Sequence, residues 1–283
     1  MRKSSTFMPP ECLGLIVVRA GVRAWRGWSG RLCLSTAVLA IVLLAANAPP
    51  ARAIDEIQVY NSEINDPGEW SLQLHANYAV TGRKTPEFDG GIVPDHAWQG
   101  TPELAYGLTD WWEVGAYWPY AVTRGGAYLD GGAKLRTLFV APHAKERQVL
   151  LGVNFELGYV NPAFAPERWN VEVRPILGYR SGPYEFIVNP IVDFALDQHD
   201  YRGDFAPAVR FAVALADRWH VGLEHYADLG PADKVVPYEQ QAHTTYVVGE
   251  FSAPPWDLHA GIGHGWTEAS DETVFKTIIG YSF

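Results

Sequence analysis

Past its first fifty residues the chain alternates. In "EWSLQLHANYAV" (69–80), Trp70, Leu72, Leu74, Ala76, Tyr78 and Val80 fall on one side of an extended strand, and Ser71, Gln73, His75 and Asn77 on the other, because strand side chains point to opposite faces with period two. "RQVLLGVNFELGY" (147–159) divides the same way, with Asn154 and Glu156 opposite Val149 to Tyr159. No stretch carries a convincing helical period. The pattern predicts twelve strands, at 69–80, 98–108, 112–121, 130–141, 147–159, 169–180, 184–196, 204–215, 218–228, 242–253, 256–266 and 273–283. Most have the ~9–11 residues that a tilted strand needs to cross a bilayer. Short turns ("TDW", "PHAKE", "SGP", "AD", "PP") alternate with longer polar loops, the longest being "TGRKTPEFDGGIVPDHA" and "GPADKVVPYEQQ". An up-and-down antiparallel barrel of the outer-membrane type has this asymmetry, with short periplasmic turns and long extracellular loops.

Charge sorts the two faces. The more apolar rows hold no Asp, Glu, Lys or Arg, only histidines near strand ends such as His225, His243 and His264. The opposite rows hold Glu103, Glu113, Glu156, Glu172, Glu185, Asp193, Asp204, Glu224, Glu250 and Asp257, with Lys134, Arg136, Arg174, Arg180, Arg210, Arg218 and Lys276. A soluble sandwich would put its charges outside and its Val, Leu and Phe within, and its interior could not hold the charged rows, because unpaired buried ions cost several kcal/mol each. An inside-out barrel, lipid outside and a polar lumen within, satisfies both rows. Tryptophan agrees. Trp70, Trp111, Trp112, Trp219 and Trp256 lie beside the short turns, Trp98, Trp118, Trp169 and Trp266 beside the loops, and none sits mid-strand. Indole rings collect at the two headgroup levels, being apolar with one N–H to satisfy. The final alternating run ends on Tyr281 and Phe283. It reads as the closing strand and as the C-terminal signal recognised by the outer-membrane assembly machinery.

The first 53 residues read as a cleaved secretory signal peptide: basic residues, the apolar run "LCLSTAVLAIVLLAA", then Ala51-Arg52-Ala53. Residues 54–68 then form a periplasmic N-terminal segment, a plug, an interaction strand or a flexible lead into the barrel, which occupies 69–283. Without the leader the chain keeps 15 Lys and Arg against 31 Asp and Glu, a net charge of −16, and neither cysteine. That removes disulfides and cysteine metal sites from consideration, and nucleic acid as a partner, since phosphate binding needs a basic surface. Outer-membrane lipids and lipopolysaccharide, and a small-molecule solute, remain as expected partners.

The stretches "PELAYGLTDWWEVGAYWPY", "GGAKLRTLF", "ADRWHVGLEHYADLG" and "GHGWTEASDETVFKTIIGYSF" resemble the meta-pathway phenol-degradation family of outer-membrane barrels, and "DEIQVYNSEINDPGEWSLQLHANY" is similar to the start of one subgroup. The resemblance implies a channel for small, often hydrophobic or aromatic compounds. It carries over no catalytic motif, cofactor or ligand-binding residue.

Twelve strands ~4.8 Å apart and tilted ~40° give a backbone diameter of roughly 24 Å and a free bore of at most about 10–14 Å. The lumen candidates are Glu103, Glu113, Lys134, Arg136, Glu156, Glu172, Arg174, Glu185, Asp193, Arg210, Glu224, Glu250 and Lys276. In one reading Lys134, Arg136, Arg174 and Arg210 form an arc facing Glu103, Glu113, Glu224 and Glu250, making a transverse field; in the other the charges pair and fill the lumen. Inward glycines at 107, 115, 152, 158, 222, 261 and 263 either widen the bore or ease curvature. His220/His225 and His259/His264 are five apart, on opposite strand faces, so neither pair makes a metal site and none is expected. His75, His220 and His259 point inward, but no serine motif accompanies them, so no enzyme is expected. The remaining alternative is a non-conducting barrel that presents loops 81–97 and 229–241 to a partner.

Overall fold

The computed structural model describes residues 57–196 and 201–283, with the backbone of Ala46–Ala48; the expected leader otherwise lies outside the described residues. Twelve antiparallel strands close into one barrel. They are β1 (Trp70–Thr81), β2 (Trp98–Thr109), β3 (Trp112–Tyr117, resuming at Tyr120–Val122), β4 (Tyr128–Asp130 and Gly132–Val140), β5 (Val149–Val160) and β6 (Trp169–Ser181). The second half comprises β7 (Tyr184–Asn189 and Val192–Ala195), β8 (Asp204–Phe205 and Ala208–Ala216), β9 (Trp219–Asp228), β10 (Ala242–Ala253), β11 (Trp256–Gly265) and β12 (Thr273–Ser282). Each pairs with its sequence neighbours, and β12 pairs with β1 in the register Ile279 to Leu74. At the seam's lower end the Trp70 N–H donates to the Phe283 carbonyl at 3.0 Å and the Phe283 N–H returns the bond at 2.8 Å. The chain terminus is therefore a rung of the closed sheet.

Four expected strands are interrupted, 130–141 at Gly131 and three others at prolines. The segments 112–121, 184–196 and 204–215 break at Trp118-Pro119, Pro190-Ile191 and Ala206-Pro207, because proline has no N–H to give the ladder. The breaks in β7 and β8 lie side by side, and the Ala206 N–H reaches the Ile191 carbonyl at 3.0 Å to carry the sheet across them.

The barrel is inside out. On β4, Leu135 is 62% exposed, while its neighbours Lys134 and Arg136 are 1% and 7% exposed. Trp98, Trp118, Trp169 and Trp266 are exposed at the loop end, and Trp70, Trp111, Trp219 and Trp256 at the turn end. Trp112 is half-buried and donates its indole N–H to Thr137 at 2.8 Å. Mid-strand on β9, Leu223 faces outward. Replacing it by Arg should cost about 2–4 kcal/mol, as a cation at the bilayer midplane does; denaturant titration in lipid vesicles would read the loss, and an unchanged midpoint would place that wall in water.

Loop 82–97 folds over the upper rim instead of standing free. Its Ile92 N–H donates to Ala163 at 3.1 Å, and the Arg83 N–H to Asp271 at 2.8 Å. Asp95 is the hub. It accepts from the Gly82 N–H at 3.2 Å and from Arg124 at 3.0 Å, and it also pairs with Lys84. The Lys84 bond holds the Asp95 carboxyl below its ordinary value. A depressed folded value means the anchoring is present above the ordinary carboxylate range and is lost as pH falls through the folded value. Amide protection in 82–97, taken relative to the intrinsic exchange rate at each pH, should therefore be high at neutral pH, fall on acidification below the ordinary range, and be low at neutral pH in Asp95→Asn; equal protection in the variant would remove Asp95 from this role.

Candidate functional site

The lumen is occupied. Residues 57–66 run inside the barrel down to the turn before β1 and bend at Ser62, whose φ is 68°, with Val59, Tyr60 and Ser62 buried. The wall grips the main chain of this segment. Lys276 donates to the Ile57 carbonyl at 3.0 Å and Arg174 to the Gln58 carbonyl at 3.1 Å. The Asn189 carboxamide accepts from the Tyr60 N–H at 2.7 Å and donates to the Tyr60 carbonyl at 3.1 Å, a two-bond exchange like a ladder rung. Glu113 accepts from the Asn65 N–H at 2.7 Å. The Tyr60 hydroxyl meets that of Tyr117 at 2.5 Å, and the Arg174 guanidinium lies 4.6 Å from the centre of the Tyr60 ring. Residues 57–65 of the expected periplasmic segment thus lie against the inner wall of the barrel.

The inward charges do not form opposed arcs. Lys134, Arg136, Arg174, Arg180, Arg210 and Lys276 each pair with carboxylates on their own or a nearby strand, while Arg218 is exposed at the turn before β9. Arg136 bridges Glu103 and Glu113, at 2.6 Å to each. Lys134 lies 3.4 Å from Glu156, Arg174 chelates Glu172 at 2.6 and 3.0 Å, and Arg180 holds Glu185 at 2.7 Å. Arg210 meets Glu250 at 2.5 Å, and Lys276 pairs with Glu224. Asp193 is buried on β7 opposite Asp204 in the ladder. His75 reaches Glu103 at 3.2 Å. The transverse field therefore gives way to local pairing, since low-dielectric surroundings favour neutral clusters over separated charge.

Sequence reasoning missed Tyr60, Tyr117 and Asn189, and with them the reason for Gly107. A Cβ at residue 107 would lie 2.3 Å from the Asp66 carbonyl oxygen, so glycine here makes room for the main chain of the segment before β1. Gly115 similarly makes room for Arg136, whose Nε would lie 2.9 Å from a Cβ there.

Not all of the inner wall is polar. Leu138, Val140, Leu150, Ile176, Ile187 and Ile191 form an apolar strip along β4 to β7, covered by Val59, Tyr60 and Ile64 of the plug. On the turn side, two cavities of about 700 and 570 Å³ flank the segment and share Gln58, Asn61, Glu63, Gln73 and Arg180 in their linings.

A closed barrel with an apolar belt, two aromatic girdles and a charged, plugged interior is a porin-like outer-membrane barrel. Comparison with solved structures agrees on the fold. The chain matches an outer-membrane channel from Pseudomonas putida F1 at a TM-score of 0.54 and 12% identity, over 80% of this chain and 100% of that one. It matches the KdgM porin at 0.50 and 10% identity, over 75% and 99%. No family model and no curated protein matches the sequence.

Proposed function

We propose that this chain is an outer-membrane channel for small apolar or aromatic solutes, gated by its own N-terminal segment. The observation that carries the reading is the apolar strip beneath Val59, Tyr60 and Ile64. When the segment moves aside, a lumen otherwise lined by ion pairs acquires a greasy track, which suits a solute that water-filled pores serve poorly. Polar bonds to main-chain atoms hold the segment, and water replaces such bonds at modest cost, so the plug is displaceable. The reading also agrees with the resemblance to the phenol-degradation family. Assembly through the C-terminal strand, with lipopolysaccharide around the outer girdle, completes the proposal; the paired Trp70–Phe283 rung supports it.

Liposome swelling with phenol-sized aromatics and sugars of equal mass tests the solute class. The proposal expects faster flux of the aromatics than liposomes without protein allow, and little sugar flux. Equal flux of both would leave a general pore, and no flux of either would leave a binding barrel.

A further inference from the structure

Two buried acceptor atoms in the lumen face each other without a partner. Glu224 of β9 is fully buried, and its Oε1 receives no hydrogen bond. His259 of β11 points its Nε2 at that oxygen from 3.6 Å, also without a hydrogen bond. The other ring nitrogen, Nδ1, lies 2.9 Å from Glu250 Oε1, directly opposite on β10. That contact makes Nδ1 the protonated nitrogen, and in the neutral ring Nε2 then carries the lone pair. Two lone pairs thus converge on one point.

The separation says what belongs there. An N–H···O bond closes to about 2.7–3.2 Å, so 3.6 Å is too long for a proton shared between the two groups. Two ligands of one tetrahedral ion at ~2.1 Å each lie about 3.4 Å apart. The outer oxygens are already fixed: Glu224 Oε2 by Lys276 and by the Tyr226 hydroxyl at 2.6 Å, Glu250 Oε2 by Arg210 at 2.5 Å. Arg210 Nη1 stands 4.0 Å from Glu224 Oε1, within ion-pair range and beyond hydrogen bonding. Glu250, His259 and Arg210 border the 570 Å³ cavity, so the point is reached from the periplasmic end.

We propose that Glu224 Oε1 and His259 Nε2 bind a divalent transition-metal ion, with Glu250 as the positioning residue that orients the imidazole and water completing the shell. A carboxylate behind a metal-ligating histidine is the usual outer-shell arrangement. The mixed nitrogen and oxygen donors select zinc, copper, nickel or cobalt over magnesium and calcium, which take oxygen alone. Lys276 and Arg210 neutralise the two carboxylates and so moderate the affinity. The expectation of no metal site, drawn from histidine pairs along single strands, is thereby revised: the donors come from β9 and β11, brought together by the register of β10 between them.

The test uses tag-free, metal-stripped full chain in detergent, titrated calorimetrically with zinc chloride. One saturable zinc per chain is expected, with no heat from magnesium chloride. Glu250→Gln should weaken binding roughly 10–100-fold, as loss of an outer-shell partner does. His259→Ala should abolish it, and His225→Ala, whose ring instead meets His243 at 3.2 Å, should not. Should His259→Ala fail to fold, wild-type protein answers: zinc should protect His259 from diethyl pyrocarbonate, located by mass spectrometry. Absent zinc binding, undiminished binding in a folded His259→Ala, or no protection of His259 would each overturn the assignment. These readouts need no open pore, so they stand apart from the channel reading.

Discussion

Deleting residues 57–65 should raise single-channel conductance severalfold while the barrel still folds. The segment fills the centre of a lumen whose bare bore is at most about 10–14 Å, and the wall does not depend on it for strand pairing, since β1 begins at Trp70 and closes on β12 without it. Lys276 and Arg174 lose the Ile57 and Gln58 carbonyls but keep Glu224 and Glu172. A milder probe is Tyr60→Ala, which removes the ring beside Arg174 and the Tyr117 bond. Truncating a buried aromatic costs about 3–5 kcal/mol, enough to shift the docked population by roughly two to nearly four orders of magnitude. Brief openings absent from wild type should therefore appear in planar bilayers. Deletion protein that conducts no better than wild type would mean that the barrier lies elsewhere, and the gating role would fall.

The barrel was legible along the chain because its signals are local. Alternation, the Trp belts and the sorting of charge each need only a dozen consecutive residues, and a lipid exterior forbids exceptions on the outward rows. What escaped was non-local or broken the period. The run 184–196 reads as one strand because its alternation continues in phase past Pro190, while the missing N–H interrupts only the ladder. The plug was ambiguous because "IQVYNSEIN" carries too few apolar positions to declare a strand, and the wall recognises its carbonyls and amides, which every residue has. Gly107 did hold a trace of it, but a glycine in a strand has several explanations until the atom it avoids is known. The ion pairs followed the same division. Which residues point inward follows from period two; which carboxylate meets which cation depends on register, and Arg136 reaches Glu103 two strands away.

Removing Arg136 should destabilise the barrel by about 3–5 kcal/mol, because it leaves uncompensated carboxylates in a buried cluster. Glu103 and Glu113 are 2% and 3% exposed, and each takes a 2.6 Å bond from the one guanidinium. His75 touches only Glu103, so Glu113 would keep little beyond the Asn65 N–H. The cause can be isolated, since neutralising a whole buried charge cluster is often neutral or stabilising where breaking it is not. Arg136→Met should therefore lower the denaturant midpoint sharply, and adding Glu103→Gln and Glu113→Gln should recover most of the loss. A triple variant as unstable as the single would assign the cost to packing over the Tyr117 ring, which lies 5.9 Å from the guanidinium carbon. A single variant with an unchanged midpoint would mean that water screens the cluster, and the lumen at this level would be wet instead of sealed by its own charges.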